Sequence, residues 1–421
     1  MKLKNNPNWK HIATIFWIVF TGVLSAGCSI LEQDPIKVGV LHSQSGTLAT
    51  SESPVADATL MAIREINDSG GILGRKIEPV LVDTQSDATF AAQEAERLIV
   101  EEQVAAIFDC WTSACRKVVK EVVEEHNSLL IYPVQFEGLE ESPNIVYTGS
   151  TPNQQIIPAV DWAFVNLGKR FFLVGSDYIF PRAVTEIIKE KVERLGGEIV
   201  GEEYLILGSS DVDNLIQKIV SIKPDVILNT INGDSNVAFF KALREAGISA
   251  ADIPTVSFSI AEAELQNMNL SDVAGNYAAW NYFQVIDSPA NRDFVKKYHV
   301  MYGSGRVTAD PIEAGYIGVH LWADAVENAG TIDAHLVTAE MADNTMSAPQ
   351  GFVHVDSENQ HLWKLVRVGR VGGDGQFEIV WDPGILIPPR PFPKMRTKSD
   401  WEMFLEELYL MWSGNWENPG Q

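Results

Sequence analysis

Between residues 105 and 117 the chain reads Ala105-Ala-Ile-Phe-Asp-Cys-Trp-Thr-Ser-Ala-Cys-Arg-Lys117: an apolar run, a polar and aromatic break, then a helix-forming stretch. At the break Trp111 offers a flat apolar face. Thr112 and Ser113 offer hydroxyls and the unpaired N–H groups of a helix start. Similar breaks recur. Tyr132-Pro-Val-Gln135-Phe-Glu-Gly138 ends one apolar run, and Ser176-Asp-Tyr178-Ile-Phe180-Pro181, Asn229-Thr-Ile-Asn232-Gly-Asp234-Ser235 and Ser257 to Glu264 end three more. Together they supply rings (Trp111, Tyr132, Tyr178, Phe180), hydroxyls and amides (Thr112, Ser113, Gln135, Asn232) and acids (Asp234, Glu262). Rings can sandwich a plane, helix N–H groups can take a carbonyl, and carboxylates or Tyr hydroxyls can accept N–H bonds. The chemistry is recognition of a small, planar, polar molecule. Each unmatched buried group costs about 1–3 kcal/mol, so such a site works only when nearly every donor and acceptor is met.

Catalytic chemistry finds little support. No G-x-S-x-G elbow, H-E-x-x-H, P-loop or G-x-G-x-x-G motif is present. Cys110 and His126 flank one helix and stand about 20 Å apart at about 1.5 Å rise per residue, too far to act as nucleophile and base. His126, His299 and His320 read as helix-surface or interior side chains. Asp211, Asp213 and Asn214 read as a helix cap and lack the spacing of a calcium loop. Two Cys without His at ligand spacing make no zinc site, so neither metal nor cofactor is expected. Nor is enzymatic activity.

These breaks are held by an alternation of strand and helix. Strands at Ile36–Leu41, Ile77–Val82, Ala105–Phe108 and Ser128–Ile131 are separated by helices at Val55–Asn67, Ala88–Glu101 and Ser113–Glu125. The pattern restarts with strands at Arg170–Val174, Glu198–Tyr204, Asp225–Asn229 and Thr255–Phe258, between helices at Pro181–Leu195, Asp211–Ile222 and Asp234–Ala246. Two helices follow (Ala290–Tyr302 and Asp310–Asn328). Then come strands at Gly351–Val355, His361–Val368 and Gln376–Trp381, the last pair joined through Gly372-Gly-Asp-Gly375. A Pro-rich stretch from Pro388 to Pro393 leads to an amphipathic segment, Ser399–Met411. The order predicts an α/β protein of two Rossmann-like, doubly wound lobes, with parallel sheets, helices on both faces and a ligand cleft between.

The 421 residues exceed one ordinary core, and the net charge of −24 argues against nucleic acid and against adsorption to an anionic membrane. Lys2, Lys4 and Lys10 precede an apolar run from Ile12 to Leu24 and then Ser25-Ala26-Gly27-Cys28, the pattern of an export signal. The small residues before Cys28 resemble a bacterial lipobox, in which Cys28 becomes the lipidated first residue, although Ser25 stands where Leu is usual. An ordinary signal or an uncleaved anchor is the alternative. Cys110 and Cys115 then remain as the only cysteines. A bridge between them is open to an exported protein, but its geometry is demanding, and buried thiols are the expectation.

The segments Asp109-Cys-Trp-Thr-Ser-Ala, Tyr132-Pro-Val-Gln-Phe-Glu-Gly138, Gly175-Ser-Asp-Tyr-Ile-Phe-Pro181, Asn232-Gly-Asp-Ser235 and Ala348-Pro-Gln-Gly351 resemble the amide/urea branch of the type I periplasmic binding proteins. More closely, they resemble the substrate-binding lipoprotein of bacterial urea ABC importers. The resemblance runs from about Ile36 to Trp381. It implies three crossovers between the lobes, near Thr148–Pro152, Ala279–Gln284 and Ala348–Gly351. The lobes would then be 33–150 with 284–349, and 151–283 with 350–390. The signal occupies 1–27 and a C-terminal extension 391–421. It implies a pocket of Trp111, Thr112, Ser113, Tyr132 and Gln135 from the first lobe and Tyr178, Phe180 and Asp234 from the second. Related amide sensors carry Tyr where this chain has Trp111 and Phe180, which points to urea over acetamide. The implied partners are an ABC permease with its ATPase, and the membrane through a lipid on Cys28, outside the cytoplasm. A sensor of the same fold and an amidohydrolase are the alternatives.

Overall fold

The computed structural model describes residues 34–419; the export segment and Cys28 lie outside the described residues. The first lobe begins with β1 (Ile36–Leu41), α1 (Ala49–Asp68), β2 (Ile77–Val82), α2 (Ala88–Val100), β3 (Ile107–Asp109), α3 (Ser113–Glu125), β4 (Leu130–Tyr132) and β5 (Ile145–Tyr147). Its five strands are parallel in the order β2-β1-β3-β4-β5. All residues of β3, β4 and β5 are buried, as strands covered by helices on both faces must be.

The second lobe contributes α4 (Ile156–Asn166), β6 (Arg170–Ser176), α5 (Ile179–Leu195), β7 (Glu198–Leu205), α6 (Asp213–Ile222), β8 (Val226–Thr230), α7 (Ser235–Glu245), β9 (Thr255–Ser257), the short helices α8 (Glu262–Leu265) and α9 (Leu270–Val273), and β10 (Tyr277–Trp280). The chain returns to the first lobe through α10 (Pro289–Tyr302), α11 (Asp310–Ala329) and α12 (Ala334–Met341). There α11 lies along α1, and Trp322 meets Phe108 edge-on at 5.8 Å.

The hairpin-linked strands β11 (Thr345–Ala348), β12 (Gly351–Val355) and β13 (Leu362–Trp363) form a small antiparallel sheet. Val353, Val355 and Leu362 share the apolar cluster of Ile131, Val146 and Trp322, and His361 bridges to Tyr147 at the edge of the first sheet. Residues 351–363 therefore stand on the first lobe, because their apolar face is buried there. The third crossover lies at Lys364–Val366, not at Ala348–Gly351. The stretch expected to be one strand, His361–Val368, breaks in two at that passage. Beyond it, β14 (Arg367–Val371) and β15 (Phe377–Trp381) add antiparallel edges to the second sheet, giving β15-β14-β10-β9-β8-β6-β7.

The three crossovers are tied together. The Asn281 side-chain amide donates to the carbonyls of Gln154, on the first crossover (2.9 Å), and of Leu365, on the third. Acids from both lobes hold the second. Asp310 accepts the backbone N–H groups of Asn281 (3.0 Å) and Tyr282 (2.8 Å), and Glu262 accepts that of Gln284 (2.7 Å). The chain then passes Asn153 and Leu139, and α13 (Lys398–Met411) packs on α5 with Trp401 buried.

Candidate functional site

In sheets of order 2-1-3-4-5 the strands leave in opposite directions between the first and third, and ligands settle in the crevice at the strands' carboxyl ends there. The second lobe has the same order in β7-β6-β8-β9-β10. Its crevice lies between β6 and β8, and that of the first lobe between β1 and β3. The two crevices face one another.

On the first-lobe side β3 ends at Asp109, whose carboxyl burial pushes well up and whose Oδ2 has no partner. Cys110 follows in the left-handed region (φ 68°) and is disulfide-bonded to Cys115, with 5.6 Å between Cα atoms. The expectation of free thiols is corrected. The turn at Cys110 and the first turn of α3 bring the two residues to bridging separation. Thr112 caps α3, its hydroxyl accepting the Cys115 N–H at 3.1 Å, as its position predicted.

Ser113 and Tyr132 belong to a buried network that the sequence did not announce. The Ser113 hydroxyl bonds Glu137 and accepts from Arg116 Nη1 at 2.9 Å. Arg116 also donates to Glu137 (2.8 Å) and Glu140 (2.9 Å), and its guanidinium lies 4.4 Å from the Phe136 ring centre and 5.0 Å from that of Tyr132. Lys117 pairs with the other Glu140 oxygen at 2.7 Å. Burial alone would raise the Glu140 carboxyl, but Lys117, Arg116 and Lys120 together hold it well below the usual range. Two buried cations, Arg116 and Lys117, meet two buried carboxylates, and the partly exposed Lys120 also has Glu124 beside it. The Tyr132 hydroxyl donates to the Trp111 carbonyl at 2.9 Å, and burial holds it protonated.

Trp111 is only 5% exposed, and its indole N–H crosses to the second lobe to donate to Asn232 Oδ1 at 3.1 Å. Asn232 is aimed by its own bonds, its backbone N–H to Ser176 Oγ (3.0 Å) and its amide N–H to the Thr230 carbonyl (3.1 Å). Gln135 also crosses, donating to the Phe258 carbonyl at 3.0 Å and leaving its Oε1 without a partner; Ser259 Oγ, beside Phe258, has none either. Ser51 of α1 donates to Glu264 of α8 at 2.7 Å. The lobes are shut.

Tyr178 and Phe180 stand at the start of α5 with ring centres 6.3 Å apart, in an apolar cluster that takes in Ala114 and Leu139 of the first lobe. Burial first, then the neighbouring Tyr132 and Glu137, keep the Tyr178 hydroxyl protonated. The structure thus brings together Trp111, Thr112, Ser113, Tyr132, Gln135, Tyr178 and Phe180. Asp234 is not among them. It is exposed at the start of α7, and only its backbone N–H reaches across, to Thr47 Oγ1 at 3.4 Å. Asn232, two residues earlier, takes the inward place.

Residues 36–398 match the model of the periplasmic binding protein domain, and the chain belongs to that family. Its members are receptors that hold a solute outside the cytoplasmic membrane, and this chain is a binding protein rather than an enzyme. Leu/Ile/Val-binding protein homolog 7 of Brucella suis biovar 1 is 24% identical over 88% of this chain and 97% of its own. Among solved structures, a solute-binding protein of an ABC transporter from Rhodopseudomonas palustris BisB5, in complex with 3,4-dihydroxybenzoic acid, is similar with TM-score 0.74 and 24% identity over 83% of this chain and 99% of that one. A leucine-binding protein from Thermotoga maritima gives 0.75 and 22% over 84% and 99%. A limonene hydroxylase of Geobacillus stearothermophilus is 33% identical over 118 residues, which span 28% of this chain and 22% of that protein. The two solved structures share this chain's fold.

Proposed function

We propose that the protein captures urea, or an amide of similar size, between its lobes and presents it to an ABC permease. One observation carries this reading: the buried cations of the corner, Arg116 and Lys117, are already neutralised by Glu137 and Glu140. A ligand carboxylate would find no free cation there, whereas a neutral amide needs none. Size argues the same way. The Trp111–Asn232 contact spans the two crevices directly, and a ligand with a bulky side chain would have to part it. The first N–H groups of α3 can take a carbonyl, and Gln135 Oε1 can accept an N–H. The second lobe's contribution rests on Asn232, Tyr178 and Phe180.

The Brucella relatives' name favours a second reading, a branched-chain amino acid, and the Rhodopseudomonas structure an aromatic acid. Calorimetric titration of the purified domain with urea, acetamide, leucine and 3,4-dihydroxybenzoate separates the three. Saturable heat from urea or acetamide alone supports the proposal; saturation by leucine or the benzoate, with none by urea, overturns it. The anchor is tested separately, by the mass of the N-terminal peptide of membrane-extracted protein. A diacylated Cys28 is expected, and any other unmodified N-terminus removes the lipid.

A further inference from the structure

The C-terminal segment is foreign to both Rossmann units, yet it lies at the cleft. Its anchor is α13, where the Trp401 indole donates to the Pro393 carbonyl (3.0 Å) and Arg396 pairs with Glu186 (2.9 Å) and Glu190 of α5. Beyond α13 the chain runs antiparallel to the start of α5. The Trp416 carbonyl accepts the Ile179 N–H (3.0 Å), Glu417 bridges to Tyr178, and Asn418 bonds the Asp177 carbonyl (3.0 Å) and carboxylate (2.7 Å). These are backbone-based ties to the second lobe, and they include the N–H that the helix start would otherwise leave unmet.

Contacts to the first lobe are of another kind. The Lys117 ammonium stands 5.1 Å over the Trp416 ring, Lys398 pairs with Glu141 at 3.0 Å, and Glu417 lines a cavity of about 10 Å³ with Thr112, Cys115, Ser43 and Glu52. That is room for a single water-sized group. Apart from the backbone bond of the Leu139 N–H to the Pro391 carbonyl (2.8 Å), upstream of α13, these are side-chain contacts. The segment rides on one lobe and touches the other beside the Trp111–Ser113 corner.

We infer that residues Trp412–Asn418 are a clasp on the ligand cleft, carried by the second lobe and closing on Thr112–Lys117 of the first only when the lobes shut, so that Trp416 and Glu417 set how slowly ligand escapes. This rests on the binding reading above. It also gives Tyr178 a fixed place, since the residues on either side of it are held by the clasp.

Two variants of the full chain test it: truncation after Gly414, which keeps the buried Trp412, and the point change Glu417→Ala. Stopped-flow release of urea, read by tryptophan fluorescence, should be about tenfold faster in the truncated protein and faster to a smaller degree in Glu417→Ala, since affinity differences of this kind are carried mostly by dissociation. Small-angle scattering without ligand should show a larger radius of gyration for the truncated chain at unchanged helix content. Unchanged release and scattering in both variants overturn the clasp, as does a loss of helix content that accounts for faster release. If the intact protein takes no urea, the functional reading fails, and scattering alone decides the clasp: equal radii overturn it.

Discussion

The two halves of the cleft are built on different principles. The first-lobe half is braced from within: a disulfide spans the corner, Thr112 caps the helix, and Arg116 joins Ser113, Glu137 and Glu140 in a buried network. The second-lobe half is satisfied partly by its partner, since Asn232 Oδ1 accepts from Trp111, and the Phe258 carbonyl accepts from Gln135 as well as from Gln155 of its own lobe. One half is preorganised and the other completed by closure, which is how binding can be coupled to a change of shape.

The largest test of that contrast is Arg116→Met. It leaves Glu137 buried without its cation, and Glu140 with Lys117 and Lys120 alone, and should cost about 3–5 kcal/mol in guanidinium denaturation. A loss below about 1 kcal/mol would mean that the first half is not set by this network. The denaturant must not be urea, which is the proposed ligand.

A second test compares buried acids. Glu140 is held low by its cations, whereas burial pushes Glu262, at the second crossover, up to about 8. A raised carboxyl favours the folded state while it is protonated. Its contribution is therefore complete below the usual value of 4.5 and is lost as pH rises through about 8. Glu262→Gln should leave stability at pH 5 nearly unchanged and raise it by roughly a few kcal/mol relative to the parent at pH 8.5. The Glu140 loss lies on the acid side instead, below 4.5. Parallel pH curves for parent and variant would refute the assignment.

Smaller effects probe the seam. Trp111→Phe removes the indole donor and Asn232→Ala its acceptor; each should weaken urea binding about fivefold to tenfold, and the double variant little more than either. Additive losses would show that the two residues act apart. Smallest of all is Asp234→Asn, which should change stability by less than about 0.5 kcal/mol and leave the urea affinity as it was. A clear loss of affinity would return Asp234 to the site.

The strand–helix alternation and the corner at Trp111 are legible in the sequence, because apolar periodicity and helix-start chemistry are local. What escapes is whatever depends on a distant partner. The strand β5 has three residues and is a strand only because β4 lies beside it. The stretch 351–363 alternates like any strand, and nothing local says which lobe receives it. Nothing local marks Arg116 and Lys117 as buried; Glu137 and Glu140, from beyond the next strand, fold over them. Trp416 and Glu417 follow a Gly turn with no periodic pattern, so their place at the cleft is a matter of tertiary packing alone.

The bond pattern of Asn281 has a mechanical consequence. Because one side-chain amide holds the first and third crossovers while its own backbone lies in the second, a torsion in any one of the three strands is transmitted to the other two. Three independent tethers would allow the lobes to shear, roll and gape in combination. Three coupled tethers leave one dominant bending coordinate, so every closure retraces the same arc and presents the same outer contour, whichever solute triggered it.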